Sequence, residues 1–248
     1  MRKFRTFVLV ALLSIMMMFS SALSVGCCHH RVNPDLGFNI PEQISSHLLS
    51  IQIQDSHTGD KYPVGSGTYI ELDGSPYVLT AFHVWGVIPI IVENNTAVAC
   101  YTHDNCVELV VAPPMAYDPG EDWAIVSMPS AIDGMSPAPI SNKQARLGEE
   151  VWAAGHPDSI RTVVHGTIAG HTTLPGEPFM HYIVDGYAYF GSSGGGLFNA
   201  KGELIGIMEA IDVFMNYETL ERTPNPNLFY CVPVLEIPEL LVGTVKDA

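Results

Sequence analysis

The sequence predicts an all-β protein made of two packed antiparallel β-barrels of about six strands each, with a short helix near the C-terminus. Three observations lead there. The apolar runs are short and bounded by turn residues. Gly (22) and Pro (18) are frequent and spread along the chain. The runs also fall into two series, on either side of a Pro- and Ser-containing stretch at 129–142. Such runs suit strands, and Gly and Pro punctuate them. With 248 residues, 47% hydrophobic and 15% charged, the chain holds enough apolar material for a real core and too much for disorder.

The first element is a leader, residues 1–26. Met1-Arg-Lys-Phe-Arg5 is a positive head, residues 7–18 are apolar apart from Ser14, and small residues fill 20–26. This is the order of a secretory signal. Leu23-Ser-Val-Gly-Cys27 resembles a bacterial lipoprotein box, which makes Cys27 the candidate lipidation site, although Ser24 stands where that box prefers Leu. Two other readings stay open: cleavage without a lipid, and an uncleaved anchor, since about 20 uncharged residues just span a bilayer. All three place the folded part outside the cytoplasm, and two of them tether it to a membrane. Residues 27–43 read as a tether.

The first barrel is expected over 44–134, with apolar runs at 47–53, 67–72, 77–79, 87–92, 97–101, 107–112 and 123–128. The second is expected over 135–248, with runs at 150–154, 161–169, 180–184, 196–199, 204–209 and 228–232. Asp73-Gly74 and Lys201-Gly202 are turn signals between strands. Residues 235–241 are the candidate C-terminal helix, limited by Pro238.

The net charge is -15, and removing the leader leaves 8 basic residues against 26 acidic ones, or -18. Such a surface repels phosphate backbones and anionic lipid heads, so nucleic acid is excluded as a partner. Its bland meaning is solubility. Five cysteines suit an oxidising compartment. Cys100 and Cys106 flank a polar hairpin-tip stretch and are either bridged or two free thiols; Cys231 lies in an apolar run and reads as inert core. Cys27-Cys-His-His30 lacks the ligand spacing of a structural zinc site, so no metal is expected.

The chemistry-bearing candidates are three. Ser193 sits in Gly191-Ser-Ser-Gly-Gly-Gly196, where glycines allow a sharp turn and a close backbone approach to a carbonyl. If the loop is built so, the N–H groups of Gly191 and Ser193 form an oxyanion hole. An apolar run follows at once, which a flexible linker would lack. His83 closes the apolar run Leu79-Thr-Ala-Phe-His83, where a strand would give way to a loop, and is the candidate base. Asp122, directly before Trp123-Ala-Ile-Val126, is the candidate orienting acid, with Asp118 and Glu121 as local competitors. Taken singly, each has an ordinary structural explanation: a turn, a core histidine, a cap.

Together these segments resemble trypsin-like serine peptidases, especially the HtrA-like bacterial branch. Thr80-Ala-Phe-His83 is similar to that family's Thr-Ala-x-His, Asp122-Trp-Ala-Ile125 to its Asp-x-Ala-aliphatic, and Gly191-Ser-Ser-Gly-Gly195 to its Gly-x-Ser-Gly-Gly, in the family's order His, Asp, Ser. Gly65-Ser-Gly-Thr68, Leu147-Gly-Glu-Glu150 through Gly155-His-Pro157, and Gly202-Glu-Leu-Ile-Gly-Ile207 frame them. The likeness spans about 45–210. It implies a chymotrypsin-like double barrel with the site between barrels. His83 would be general base and then acid, Asp122 would fix its tautomer, and Ser193 would be the nucleophile for a polypeptide substrate, with no cofactor. It also puts Tyr187 near the base of the primary pocket and Met208 and Ala210 on its walls, a pocket for small or medium apolar side chains. Ser192 stands where the family has Asn or Asp, Gly196 stands where Pro is common, and no Ile-Val-Gly-Gly activation junction occurs. No peptide-binding module is expected after Met208. The competing functions are a catalytically inactive binding module of the same fold and an acidic surface lipoprotein.

Overall fold

The computed structural model of the chain describes residues 40–91, 95–110, 113–173, 179–215 and 222–241. The leader, Cys27 and the tether up to residue 39 lie outside the described residues. The tether's last residues do not run free: Ile40–Ser45 forms helix α1, with Pro41 in its first turn, where proline is tolerated, and Ile44 fully buried.

The first half is a sheet of seven antiparallel strands: β1 (Leu48–Asp55), β2 (Lys61–Leu72), β3 (Ser75–Ala81), β4 (Asn95–Cys100), β5 (Cys106–Glu108), β6 (Ala116–Asp118) and β7 (Trp123–Ser127), in spatial order β5-β4-β1-β2-β3-β7-β6. The second half is a closed six-stranded barrel of β8 (Glu150–Gly155), β9 (Thr162–Thr172), β10 (His181–Asp185), β11 (Gly196–Asn199), β12 (Leu204–Met215) and β13 (Arg222–Pro233), in order β10-β13-β12-β11-β8-β9. The fold is mostly β, as the sequence predicts. Among the described residues no helix is long and apolar enough to cross a membrane.

Three expectations change. The apolar run at 87–92 is not a strand: Phe82–Ile91 forms helix α2. Val84, Trp85 and Ile88 drop into the first core at helical spacing, and that packing outweighs the strand propensity of the β-branched residues. Of the run at 107–112, β5 takes in Val107 and Glu108, Leu109 N–H still donates to Ala97 O of β4 at 2.8 Å, and residues 111–112 lie outside the described residues. The C-terminal helix splits into a 3₁₀ turn, Val234–Glu236, and a short helix α3, Pro238–Leu241, because Pro238 disfavours helical backbone at Ile237.

Three apolar layers hold the molecule together. Along β1, β3 and β7 alternate residues point to opposite faces. Leu49, Ile51, Val78, Ala124 and Val126 fill a core within the first half. Their neighbours Leu48, Leu79, Trp123 and Ile125 meet Phe198, Leu204, Ile207 and Val232 of the barrel in a shared layer. Leu197, Ile205 and Met208 face the barrel interior. Both faces of these strands are therefore buried, which is why they read as continuous apolar runs. Trp123 directly follows Asp122 and Phe198 lies five residues past Ser193, so the shared layer anchors both segments of the site. Away from it, a disulfide joins Cys100 to Cys106, directly paired residues of β4 and β5.

Candidate active site

Asp122 is built into the start of β7 by a turn. The Asp118 carboxylate accepts from the N–H groups of Gly120 at 2.7 Å and Glu121 at 3.1 Å, which folds the chain back. Glu121 accepts from the Trp123 indole N–H at 3.1 Å. Both local competitors are thus spent on structure. Asp122 itself adopts φ 53°, a left-handed conformation that Asp tolerates better than most residues.

From there Asp122 reaches the first turn of α2. Its Oδ1 accepts from the His83 backbone N–H at 2.8 Å, and its carbonyl accepts from the Phe82 N–H at 3.0 Å. These are N–H groups that a helix start leaves without a partner. Its Oδ2 lies 2.6 Å from His83 Nδ1, which places the Nδ1 proton on that bond and leaves Nε2 as the free nitrogen. One carboxylate therefore caps the helix and orients the ring. Asp122 is 13% exposed and His83 34%, so the pair is accessible from one side. Burial by itself lowers the His83 pKa. The Asp122 charge and hydrogen bond, and then the Glu209 charge, outweigh that and hold it above the ordinary histidine value.

Ser193 arrives from the other half. The Gly191–Gly196 loop is stitched at both ends. Ser192 N–H donates to Tyr189 O at 2.9 Å, and Gly194 N–H to Met208 O at 2.8 Å. Ser66 of β2 reaches across: its N–H donates to Ser193 O at 2.8 Å, its hydroxyl donates to Gly191 O at 2.6 Å, and the same hydroxyl accepts from His156 N–H at 2.9 Å. Gly194, at φ 81°, presses so close to β2 and β3 that a Cβ there would collide with Thr80 Oγ1 and the Ser66 carbonyl. The loop is thereby clamped onto the first half. Beside it, a Cβ on Gly65 would meet both the Val84 side chain and Ser193 O, so the start of α2 and the Ser193 backbone flank one glycine.

Of the two adjacent serines, Ser192 is buried and its hydroxyl accepts from Tyr189 N–H, whereas Ser193 is part-exposed. The Ser193 hydroxyl lies 3.4 Å from the carbonyl of Glu209. Gly191 has φ 95°, and among the described residues the N–H groups of Gly191 and Ser193 donate to no protein acceptor.

The pocket candidates part company. Tyr187, with Phe190, lies at the surface, 42% and 38% exposed respectively, and Ala210 is also exposed. Met208 is buried, its methyl group beneath Gly155 and Gly195. Sequence reasoning did not single out His181. In the structure His181 Nε2 lies 2.8 Å from Glu209 Oε2, with side-chain exposures of 0% and 12%. No local spacing joins residues 28 positions apart, so only the strand pairing reveals the pair. Cys231 is fully buried, and burial with the Glu209 charge pushes its thiol pKa well up, which keeps it protonated and inert. Among the described residues no cluster of His, Cys, Asp and Glu is fit to hold a metal ion.

The chain is similar to several known proteins. The periplasmic serine endoprotease DegP of Escherichia coli K12 is 30% identical over 152 residues, 60% of this chain and 30% of DegP. The chloroplastic Protease Do-like 1 of Arabidopsis thaliana is 28% identical over 183 residues, 70% of this chain and 39% of that protein. The chain thus spans only about a third of the length of these relatives. Among solved structures, the active form of the Rv3671c protease of M. tuberculosis superposes with TM-score 0.59 at 18% identity, covering 89% of this chain and 93% of that one. The serine endoprotease of Yersinia pestis gives TM-score 0.56 at 21% identity, covering 83% and 65%. At these identities the structures speak for the fold alone. The trypsin-like peptidase domain matches residues 65–207, from the strand that clamps the Ser193 loop to the strand that follows it. A match running over more than half of the sequence settles descent: the chain belongs to the trypsin-like peptidase family.

Proposed function

We propose that the chain is a serine endopeptidase that cleaves polypeptides through an acyl-enzyme intermediate, with His83, Asp122 and Ser193 as its triad. The observation that carries this reading is the 2.6 Å contact between His83 Nδ1 and Asp122 Oδ2, which reserves Nε2 for a hydroxyl. In the reaction the Ser193 hydroxyl turns from the Glu209 carbonyl to His83 Nε2 and gives it the proton. Oγ bonds to the scissile carbonyl carbon, and the oxyanion is received by the N–H groups of Gly191 and Ser193. The imidazolium then protonates the leaving amine as the C–N bond breaks, and a water repeats the sequence to release the acid. Asp122 holds the tautomer and stabilises the imidazolium. The raised His83 pKa supports the base role, because it strengthens the proton acceptor.

Surface aromatics at Tyr187 and Phe190 favour apolar side chains near the primary pocket and give no acid to pair with Lys or Arg. The leader and the periplasmic naming of DegP both favour a site outside the cytoplasm, secreted, periplasmic or membrane-tethered through Cys27.

A fluorophosphonate probe tests the reading. Wild-type protein labels, and Ser193→Ala does not. Peptide hydrolysis by Ser193→Ala falls by at least about 10³-fold. Folded wild-type protein that neither labels nor cleaves a peptide library would turn the reading to an inactive binding module.

A further inference from the structure

Resting on that reading, we propose that Phe82 and Tyr117 form an aromatic platform beside His83. It is a second substrate subsite, and it takes a large apolar or aromatic side chain of the polypeptide, next to the residue held in the primary pocket. The two rings stack with centroids 5.3 Å apart and planes 13° off parallel. Both come from chain segments next to the triad. Phe82 directly precedes His83, and its N–H donates to Asp122 O at 3.0 Å. Tyr117 pairs across the sheet with Ala124, two residues past Asp122. The platform therefore keeps a fixed offset from the bond to be cut.

Local structure explains why the rings face outward. Along a strand alternate side chains point to opposite faces. Ala116 turns into the layer shared with the barrel, and its neighbours Met115 and Tyr117 turn out, 44% and 48% exposed. β6 is also the last strand of the sheet on that side. In α2, Val84, Trp85 and Ile88 take the core face, which leaves Phe82 at its margin, partly buried against the same core. One turn on stands Gly86, where a Cβ would lie 3.4 Å from the Phe82 ring, so that ring lies over the glycine.

The occupant follows from the neighbourhood. In an extended polypeptide successive side chains point to opposite sides. With one directed to Tyr187 and Phe190 in the second half, the next is directed to the first half, where His83, Phe82 and Tyr117 lie. An apolar group laid on the platform removes its own surface and that of the Tyr117 ring from water together. The acids of the adjoining turn, Asp118 and Glu121, accept from the N–H groups of Gly120, Glu121 and Trp123, so the chemistry on offer is that of the rings.

Peptide libraries varied one position at a time on either side of the scissile bond test this. Wild-type protein prefers Phe, Tyr or Leu over Ala at one position flanking the primary one. In Tyr117→Ala that preference, read as a ratio of kcat/KM values, falls roughly three- to tenfold. Tyr117→Phe keeps the ring and keeps the preference. A ratio unchanged by Tyr117→Ala at every position overturns the proposal, and so does a loss confined to Lys and Arg side chains. If Tyr117→Ala does not fold, Tyr117→Thr, whose branched side chain suits a strand, carries the same test. Binding of uncleaved peptides to Ser193→Ala reads the platform without turnover. The Phe peptide binds more tightly than its Ala counterpart, and adding Tyr117→Ala erases the difference; equal binding of the two peptides to Ser193→Ala overturns the platform. The triad reading fails separately, by probe labelling that survives Ser193→Ala.

Discussion

Asp122 carries two burdens with one carboxylate. It caps α2 through the His83 N–H and fixes the ring through Nδ1. The two can be separated by substitution. Asn keeps an oxygen for the cap but offers an amide or a neutral oxygen to the ring, so it supports the wrong tautomer or a weaker bond. Asp122→Asn should therefore fold with a Tm near wild type while kcat/KM falls about 10⁴-fold. Asp122→Ala should lose activity and also about 1 kcal/mol of stability with the cap. Thermal melts beside peptide hydrolysis distinguish the two; equal destabilisation by Asn and Ala would mean that the cap needs the charge. The sign of the pH dependence follows from the same contact. A base whose pKa lies above the ordinary histidine value is neutral only at higher pH, so activity should rise through a limb above 6.5 rather than below it.

At the scale of elements, the Ser193 loop keeps its shape because β2 holds it. Ser66 is fully buried and ties Gly191 O, Ser193 O and His156 N–H together. Ser66→Ala removes the hydroxyl and leaves a buried carbonyl and a buried N–H unpaired, a cost of about 1–3 kcal/mol. Freed from Ser66, the Gly191 peptide can rotate and spoil the donor pair at 191 and 193. kcat should then fall roughly 10-fold or more, while active-site labelling slows without being abolished. Labelling at the wild-type rate would show that the loop needs no clamp. Gly65-Ser-Gly-Thr68 was legible in the sequence as a framing segment, but its task was not, because Ser66 works through partners more than 80 residues away. The order of His83, Asp122 and Ser193 was legible for the opposite reason: each sits in a short motif with its own local pattern. Helix α2 was misread as a strand since Val87, Ile88 and their neighbours favour strands by propensity, and only burial of Val84, Trp85 and Ile88 selects the helix.

For the whole molecule, the two halves are joined by the shared apolar layer and by two buried histidines that cross it. His47, 2% exposed, bonds Ser136 O through Nδ1 at 2.7 Å and stacks on Phe198 of the barrel with ring centroids 5.9 Å apart. His156, 6% exposed, directly follows β8, and its backbone N–H donates to the Ser66 hydroxyl of β2 at 2.9 Å. Two series of apolar runs were enough to predict two β units, yet alternation alone cannot say which runs face a partner unit, so the histidines at the junction passed unnoticed. Both are held neutral. Burial lowers the His156 pKa from 6.5 to about 4, with the Arg161 charge adding to it, and burial lowers that of His47 against the pull of its Ser136 bond. The unfolded chain therefore takes up protons first as the pH falls. Stability supplied by these rings is complete above their unfolded value of 6.5 and is lost between there and about 4 for His156. His83 runs the other way, its raised pKa adding stability at low pH that is lost as the pH rises through it. For His156 the loss by about pH 4.5 is roughly 2–3 kcal/mol, a large part of the margin of an ordinary domain. Denaturant unfolding at about pH 7 and about pH 4.5 should show that drop in wild-type protein, and His156→Gln should flatten it by about that amount while starting from a lower stability at neutral pH. Equal slopes in the two proteins would remove His156 from the acid response and leave it to the many surface carboxylates, which would then have to be protonated before the halves part.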